Sequence, residues 1–190
     1  MEMKRSGVLF TSFKQGLAVS MVFVLGLGMS AASLAQTLAQ TTQQLAGAKL
    51  YGQTRLRVIV HVYDAGLYVP AGFNAAKPYA TPLALVVSPG RAFRAETVVK
   101  QLGKELARQP NLTPAQVEQF SQAFAAVMPA LEEDVPLTGV YTPGAGWALF
   151  HKGAAIGKWA DEAFAKAFFD IWLGANVSQS TVKQELLRLP

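Results

Sequence analysis

The chain has 190 residues, no cysteine and a formal net charge of +5, and 51% of its residues are hydrophobic. Without cysteine the chain forms no disulfide bonds, so its stability must come from packing. The basic excess is small and includes no cluster of lysine and arginine, which argues against a nucleic-acid-binding protein. We therefore expect a globular domain with a hydrophobic core and no nucleic-acid partner.

Residues 1–35 have the pattern of a secretory signal peptide. A basic start precedes the almost entirely apolar stretch from Gly16 to Met29, and Ser33-Leu34-Ala35 places small residues where a signal peptidase cleaves. An uncleaved anchor is the alternative, but serine and glycine interrupt the apolar stretch, which disfavours a spanning helix. We expect a periplasmic or secreted protein with one domain at 36–190 and no stable membrane anchor after cleavage.

The stretch from Gly52 to Tyr63 predicts the first strand, and Asp64-Ala65-Gly66 is expected to break it before Leu67 to Val69. Alternate residues of a strand face opposite sides. The even positions are aliphatic: Leu56, Val58, Val60 and Val62. The odd positions are mostly basic or aromatic: Arg55, Arg57, Ile59, His61 and Tyr63. The odd side is therefore either a solvated face or the floor of a pocket for an anionic or aromatic ligand.

Further elements follow in an α+β order. Leu83 to Val87 is predicted as a strand, Ala95 to Arg108 as a helix, and Thr113-Pro114-Ala115-Gln116 as the start of a second helix. Next come three predicted strands and two predicted helices, the last capped by Ser178: Leu137 to Thr142, Trp147 to His151, Ala155 to Lys158, Asp161 to Leu173, and a helix ending at Leu187.

The residues that could carry metal or hydrolytic chemistry form no recognisable pattern. His61 and His151 lie on separate predicted strands without the spacing of metal or haem ligands. The run Glu132-Glu133-Asp134 is interpreted as a solvated turn, and Ser178 has no histidine and aspartate arrangement around it. We expect no metal and no cofactor.

Three strings in this order resemble the chalcone isomerase-like family, in its exported bacterial branch. They are VYDAGLYVP at 62–70, YTPGAG at 141–146 and AKAFFDIWLG at 165–174. The resemblance spans about Gly52 to Leu187. It implies an antiparallel β-sheet with helices packed on one face and a cleft between the two layers.

The resemblance also implies a set of site residues. In the plant isomerases an arginine at the opening of the first strand binds the oxygens of the substrate, and its counterpart is Arg55 or else Arg57. Phe93 and Glu96 stand where those enzymes have tyrosine and lysine, so the groups that polarise the carbonyl are replaced. Ring closure is therefore not expected, and no catalytic residue is assigned.

Non-catalytic members of the family include fatty-acid binders in which the strand arginine and a tyrosine hold a carboxylate. By this resemblance we expect a monomeric binder of a small apolar or aromatic acid, such as a fatty acid. The expected ligand-binding residues are Arg55, Arg57, His61, Tyr63 and Phe93. Two alternatives stay open, an intramolecular lyase of the chalcone–flavanone isomerase type and a periplasmic accessory protein that acts through protein contacts.

Overall fold

The computed structural model describes Thr41 and residues 44–190, so the predicted signal peptide lies outside the described residues. Six antiparallel strands form one sheet in the order of the chain, β1 to β6. They are β1 (Lys49–Arg57), β2 (His61–Val69), β3 (Leu83–Pro89), β4 (Leu137–Thr142), β5 (Gly146–His151) and β6 (Ala154–Trp159). The described helices are α1 (Ala95–Leu106), α2 (Pro114–Ala125), α3 (Glu162–Leu173), α4 (Ser180–Leu187) and the short 3₁₀ helix Pro78–Ala80.

The main core lies between one face of this sheet and the helices. Alternate residues of β2 and β3, such as Leu67 and Leu85, are buried on this face, as expected for a sheet with one covered side. Aromatic rings fill the region beneath α3, where Trp147 stacks on Phe168 with ring centroids 4.3 Å apart. The fold class predicted from the sequence, an α+β antiparallel sheet with helices on one face, is confirmed.

The opposite face of the sheet carries a second, smaller apolar cluster. Tyr68, Ala84, Val86 and Val140 are its strand residues, and Leu45 of the segment before β1 packs against it. Arg55 and Asp64 also lie on this side, because their neighbours along the strands pack toward the helices. The two faces therefore differ in what covers them.

The prediction of one strand from Gly52 to Tyr63 is wrong. The chain turns at Val58-Ile59-Val60, and the predicted break at Asp64-Ala65-Gly66 lies in the middle of β2. The charge of Asp64 is tolerated there because it faces Arg55 on β1. Gly66 is tolerated because the Tyr68 ring lies over it, 3.1 Å from where a Cβ would stand.

The helix starts show which local signals were reliable. Thr113 and Gln116 form the predicted capping box at the start of α2. Asp161 caps α3 by accepting hydrogen bonds from the amides of Ala163 and Phe164. The prediction that Ser178 caps the last helix is wrong, since α4 begins after Gln179, which makes no side-chain cap.

The last helix packs against the first strand. Thr54 donates a hydrogen bond from its hydroxyl to the carboxylate of Glu185. Gly52 lies directly under the backbone of α4, and a Cβ at this position would collide with the carbonyl oxygen of Leu186. β1 is therefore covered by residues from the far end of the chain. Within the described part of the chain, no helix has the length and apolar character needed to span a bilayer.

Candidate ligand-binding cavity

A cavity of about 700 Å³ lies between α1 and the helix-covered face of the sheet. Leu85 and Val87 of β3 and Leu137 of β4 form its floor, and Phe168 and Ile171 of α3 form one wall. Its volume lies within the range of small-molecule sites, roughly 300–1,000 Å³. A lining of this kind favours a ligand with a substantial apolar part.

A glycine in the floor of the cavity sets the position of one wall. Gly139 of β4 lies under the ring of Phe168, and a Cβ there would stand 2.8 Å from that ring. A larger residue would therefore push α3 away from the sheet. Because Gly139 has no side chain, the Phe168 ring rests directly on β4 and closes this end of the cavity.

Tyr63 and Trp172 supply polar atoms inside the cavity. Burial raises the pKa of the Tyr63 hydroxyl to about 12, although a hydrogen bond from the Trp172 indole acts in the opposite direction. The phenol is therefore protonated across the physiological pH range and can donate a hydrogen bond. Both side chains line the cavity, so a ligand with an oxygen acceptor could reach this hydroxyl.

Glu105 of α1 is a buried carboxylate in the cavity wall. Gln101, one helical turn earlier, donates a hydrogen bond of 2.9 Å to its Oε1 atom. Nε of Arg108 lies 3.7 Å from its Oε2 atom, and the Arg108 side chain itself is mostly exposed. The hydrogen bond from Gln101 and the nearby positive charge of Arg108 offset part of the cost of burying this carboxylate.

Cations of α1 and the turn after it follow one side of the cavity mouth. Lys100, Lys104 and Arg108 are spaced four residues apart, so they lie in one row on the helix surface. All three are exposed and line the cavity. We call these three residues the basic row. A ligand with an acidic head group at the mouth would meet this row.

Arg55 is held on the other side of the sheet. Its Nε and one terminal nitrogen donate hydrogen bonds to both carboxylate oxygens of Asp64, at 2.6 and 2.9 Å. Hydrogen bonding to Asp64 raises the pKa of Arg55 above its ordinary value. Leu56, the next residue, faces the cavity and is paired with Tyr63, so Arg55 faces away from it. The predicted common face of Arg55 and Tyr63 is therefore wrong, because a turn separates the two positions.

The other predicted site residues are divided between the cavity and its surroundings. Tyr63 and Phe93 line the cavity. Arg57 is exposed at the end of β1, and the Nε2 atom of His61 lies 3.3 Å from Oδ1 of Asp64. Arg55, Arg57 and His61 are not among the lining residues. Their roles in ligand binding stay predictions.

Sequence reasoning missed the polar residues that α1 brings to the cavity. Gln101, Glu105 and the basic row lie on a helix that was interpreted only through its apolar stripe. The four-residue spacing of Lys100, Lys104 and Arg108 was visible in the sequence. Its relation to a cavity was not, because that depends on how α1 packs over the sheet.

Metal binding has no support from side-chain clustering. In the part of the chain that the structure describes, no three histidine, aspartate or glutamate side chains are grouped closely enough to hold an ion. Burial, more than the nearby Lys152, lowers the pKa of His151 below its ordinary value. The imidazole of His151 is therefore neutral at physiological pH.

A six-stranded antiparallel sheet with helices over one face and a cavity between the layers defines a class of α+β ligand-pocket folds. The chalcone isomerase-like family model matches residues 28–188, and the chain belongs to that family. The crystal structure of a fatty-acid binding protein from Arabidopsis thaliana has a similar fold, with a TM-score of 0.56 and 11% sequence identity. The match covers 75% of this chain and 87% of that one. None of the curated proteins matches this chain in sequence.

Proposed function

We propose that the protein is a non-catalytic binder of an elongated apolar carboxylate, such as a fatty acid. The observation that carries this proposal is the 700 Å³ cavity, with an apolar floor and the basic row at its mouth. The similar fold of the fatty-acid binding protein from Arabidopsis thaliana supports it.

The interior of the cavity matches a hydrocarbon chain. Burying an aliphatic group against side chains such as Leu85, Val87 and Leu137 gains roughly 0.8 kcal/mol for each CH₂ removed from water. A chain of ten or more carbons would therefore provide most of the affinity. The charged residues among those that line the cavity are Glu105 and the three members of the basic row.

The acidic head group would lie at the mouth rather than in the interior. Inside the cavity, the Glu105 carboxylate would repel a second carboxylate. Lys100 and Lys104 lie at the mouth, and neither forms a salt bridge with a described residue. The role of Arg55 as the anion anchor stays a prediction, and the basic row is the alternative site for the acidic head group.

We also propose that the protein acts in the periplasm or outside the cell after cleavage near residue 35. The support is the sequence pattern of a basic start, an apolar stretch and Ser33-Leu34-Ala35. Intact-mass measurement of protein recovered from the exported fraction tests this. Full-length protein in the membrane fraction would contradict it.

The binding proposal is tested by displacing a fluorescent fatty acid from delipidated protein. Palmitate and palmityl alcohol form a matched pair that differs in the acidic group alone. We expect both to displace the probe, with palmitate the tighter ligand because of the basic row. Equal affinity would remove the head-group part of the proposal, and no displacement by either would remove the whole of it.

A cavity-filling variant provides the structural control. Val87→Trp places a large ring in the floor of the cavity, since Val87 is half-buried and lines it. We expect ligand binding to be lost while the circular dichroism spectrum is unchanged. Val127→Trp is the matched control, since Val127 is also half-buried but is not a lining residue. Unchanged binding in Val87→Trp would place the ligand elsewhere.

A further inference from the structure

The turn between β1 and β2 exposes three consecutive aliphatic residues. Val58, Ile59 and Val60 have exposed fractions of 72%, 96% and 51%. Elsewhere among the described residues, Leu50 and Leu189 are the most exposed large hydrophobic side chains, at 36% and 39%. We call residues 58–60 the aliphatic tip. Contiguous exposed apolar groups of this kind mark contact sites on soluble proteins.

The geometry of the turn does not explain its composition. Tight hairpin turns favour asparagine and glycine, which adopt positive φ angles easily. None of the three tip residues has a positive φ angle. Their branched side chains are therefore not selected for the turn, and polar residues at the same backbone angles would avoid the cost of exposing apolar surface to water.

The aliphatic tip lies at the mouth of the cavity. Val58 is both exposed and part of the cavity lining, and Val62, just after the tip, lines it as well. The exposed residues Lys100, Lys104 and Arg108 line the same cavity. One opening is thus bordered by aliphatic side chains from the sheet and by cations from the helix layer.

Further basic residues lie near the tip, and two of the nearby acidic residues interact with basic side chains of their own. Arg57 flanks the tip, and the guanidinium of Arg91 lies 5.1 Å from the ring of Phe93, which lines the cavity. In the loop before β4, Asp134 acts on Arg55, and Glu132 pairs with Lys152. Glu96 is the acidic residue in line with the basic row.

We propose that the aliphatic tip and the basic row dock the mouth of the cavity onto an anionic lipid bilayer. Aliphatic side chains would enter the boundary between head groups and acyl chains, and the cations would lie over anionic head groups. A ligand could then pass between bilayer and cavity without crossing water. The docking itself requires no bound ligand, so it is testable independently of the proposed function.

A single-site fluorescent probe at the tip provides the test. Because the chain has no cysteine, Ile59→Cys creates a unique labelling position for an environment-sensitive NBD group. Vesicles of phosphatidylcholine with phosphatidylglycerol are compared with vesicles of phosphatidylcholine alone, and spin-labelled lipids report the depth of the probe. We expect a blue shift and quenching on the anionic vesicles. The affinity for these vesicles should fall about fivefold for each cation removed by Lys100→Gln and Lys104→Gln.

Leu189→Cys, labelled in the same way, is the matched control. Leu189 is also an exposed aliphatic residue, but it follows Arg188, whose guanidinium lies 5.4 Å from the ring of Tyr51 near the start of β1. The probe responds only at its own position, so any binding of vesicles by the apolar stretch at 16–29 does not mimic a response at residue 59.

Three outcomes would overturn the proposal. The first is no spectral shift at residue 59 on anionic vesicles. The second is an equal shift and equal quenching at residue 189. The third is burial of the residue-59 probe in the absence of lipid as protein concentration rises, which would assign the tip to a second copy of this chain. Loss of fatty-acid affinity in lipid-free solution bears on the proposed function and leaves the docking result unaffected.

Discussion

Two neighbouring residue pairs on β1 and β2 use the same hairpin in different ways. Arg55 and Asp64 are cross-strand partners on one face, and Leu56 and Tyr63 are partners on the other. The first pair matches a cation with an anion through two hydrogen bonds. The second pair faces the cavity, where the Leu56 side chain and the Tyr63 phenol border open space.

The difference shows that the type of a residue does not decide whether it can bind a ligand. The guanidinium of Arg55 has two directed hydrogen bonds to Asp64, so a ligand carboxylate would have to compete with that residue. Lys100 and Lys104 are weaker individual anchors, but neither forms a salt bridge with a described residue and both lie at the mouth. The four predictions below test this comparison.

The largest effect is expected on the Arg55 side, and on stability. Arg55→Ala leaves the Asp64 carboxylate, which is largely buried, without its bidentate partner. Breaking a fully buried pair costs about 3–5 kcal/mol, so this partly exposed one should cost about 2 kcal/mol. Urea denaturation of Arg55→Ala, of Asp64→Ala and of the double variant measures the coupling free energy between the two side chains.

In the same proteins, fatty-acid affinity should stay within twofold of the wild type. A drop of tenfold or more for Arg55→Ala, with Asp64→Ala unaffected, would restore Arg55 as the anion anchor. The comparison between the two faces would then have to be abandoned.

The second effect concerns affinity at the cavity mouth. Lys100→Ala combined with Lys104→Ala should weaken palmitate binding by about tenfold, since exposed ion pairs contribute up to about 1 kcal/mol each. The loss should shrink as salt is added, because salt screens exposed charges. Titration at two ionic strengths measures both. Lys152→Ala, another exposed lysine outside the cavity lining, should change nothing.

The third effect is that of a single hydroxyl. Tyr63→Phe should weaken binding of a ligand with an oxygen acceptor on its buried chain, such as a hydroxylated fatty acid, by about fivefold, the loss expected from one hydrogen bond of about 1 kcal/mol. With a pKa of about 12 the hydroxyl stays protonated, so this difference should be the same at pH 6 and pH 9. Isothermal titration at both pH values measures it. A difference that disappears at pH 9 would mean that the phenol ionises in that range.

The smallest expected effect is a null result for catalysis. Phe93 lines the cavity at the position where the resemblance places a tyrosine of the isomerases, and it has no acidic group to offer. General acid–base groups supply about 10²–10⁴-fold each, so without them chalcone cyclisation should run at the background rate. A spectrophotometric assay with purified protein measures this. Stereoselective ring closure well above background would favour the lyase alternative.

The fold was predictable from local signals that pointed in the same direction. The turn residues after Thr142, which join β4 to β5, and the capping box at Thr113 each determined an element without help from distant residues. The hairpin at Val58–Val60 could not be found in this way. Its three β-branched residues have high strand propensity, while Asp64-Ala65-Gly66, inside β2, has the composition of a turn.

That single error decided the outcome for the site. Since side chains alternate along a strand, the missed turn and the irregular pairing beside it changed which later residues share a face with Arg55. Tyr63 was named as a site residue, and it lines the cavity on the face opposite to Arg55. Glu105 could not be identified from sequence, because its place in the cavity depends on the packing of α1 over β3 and β4.

The contact between α4 and β1 has a consequence for the order in which the molecule can form. Thr54 and Glu185 are separated by 131 residues, and the backbone of α4 covers Gly52. The first strand therefore stays uncovered until residues 180–187 have left the ribosome. A nascent chain that ends before Ser180 would expose β1, and would be a substrate for chaperones rather than a finished domain.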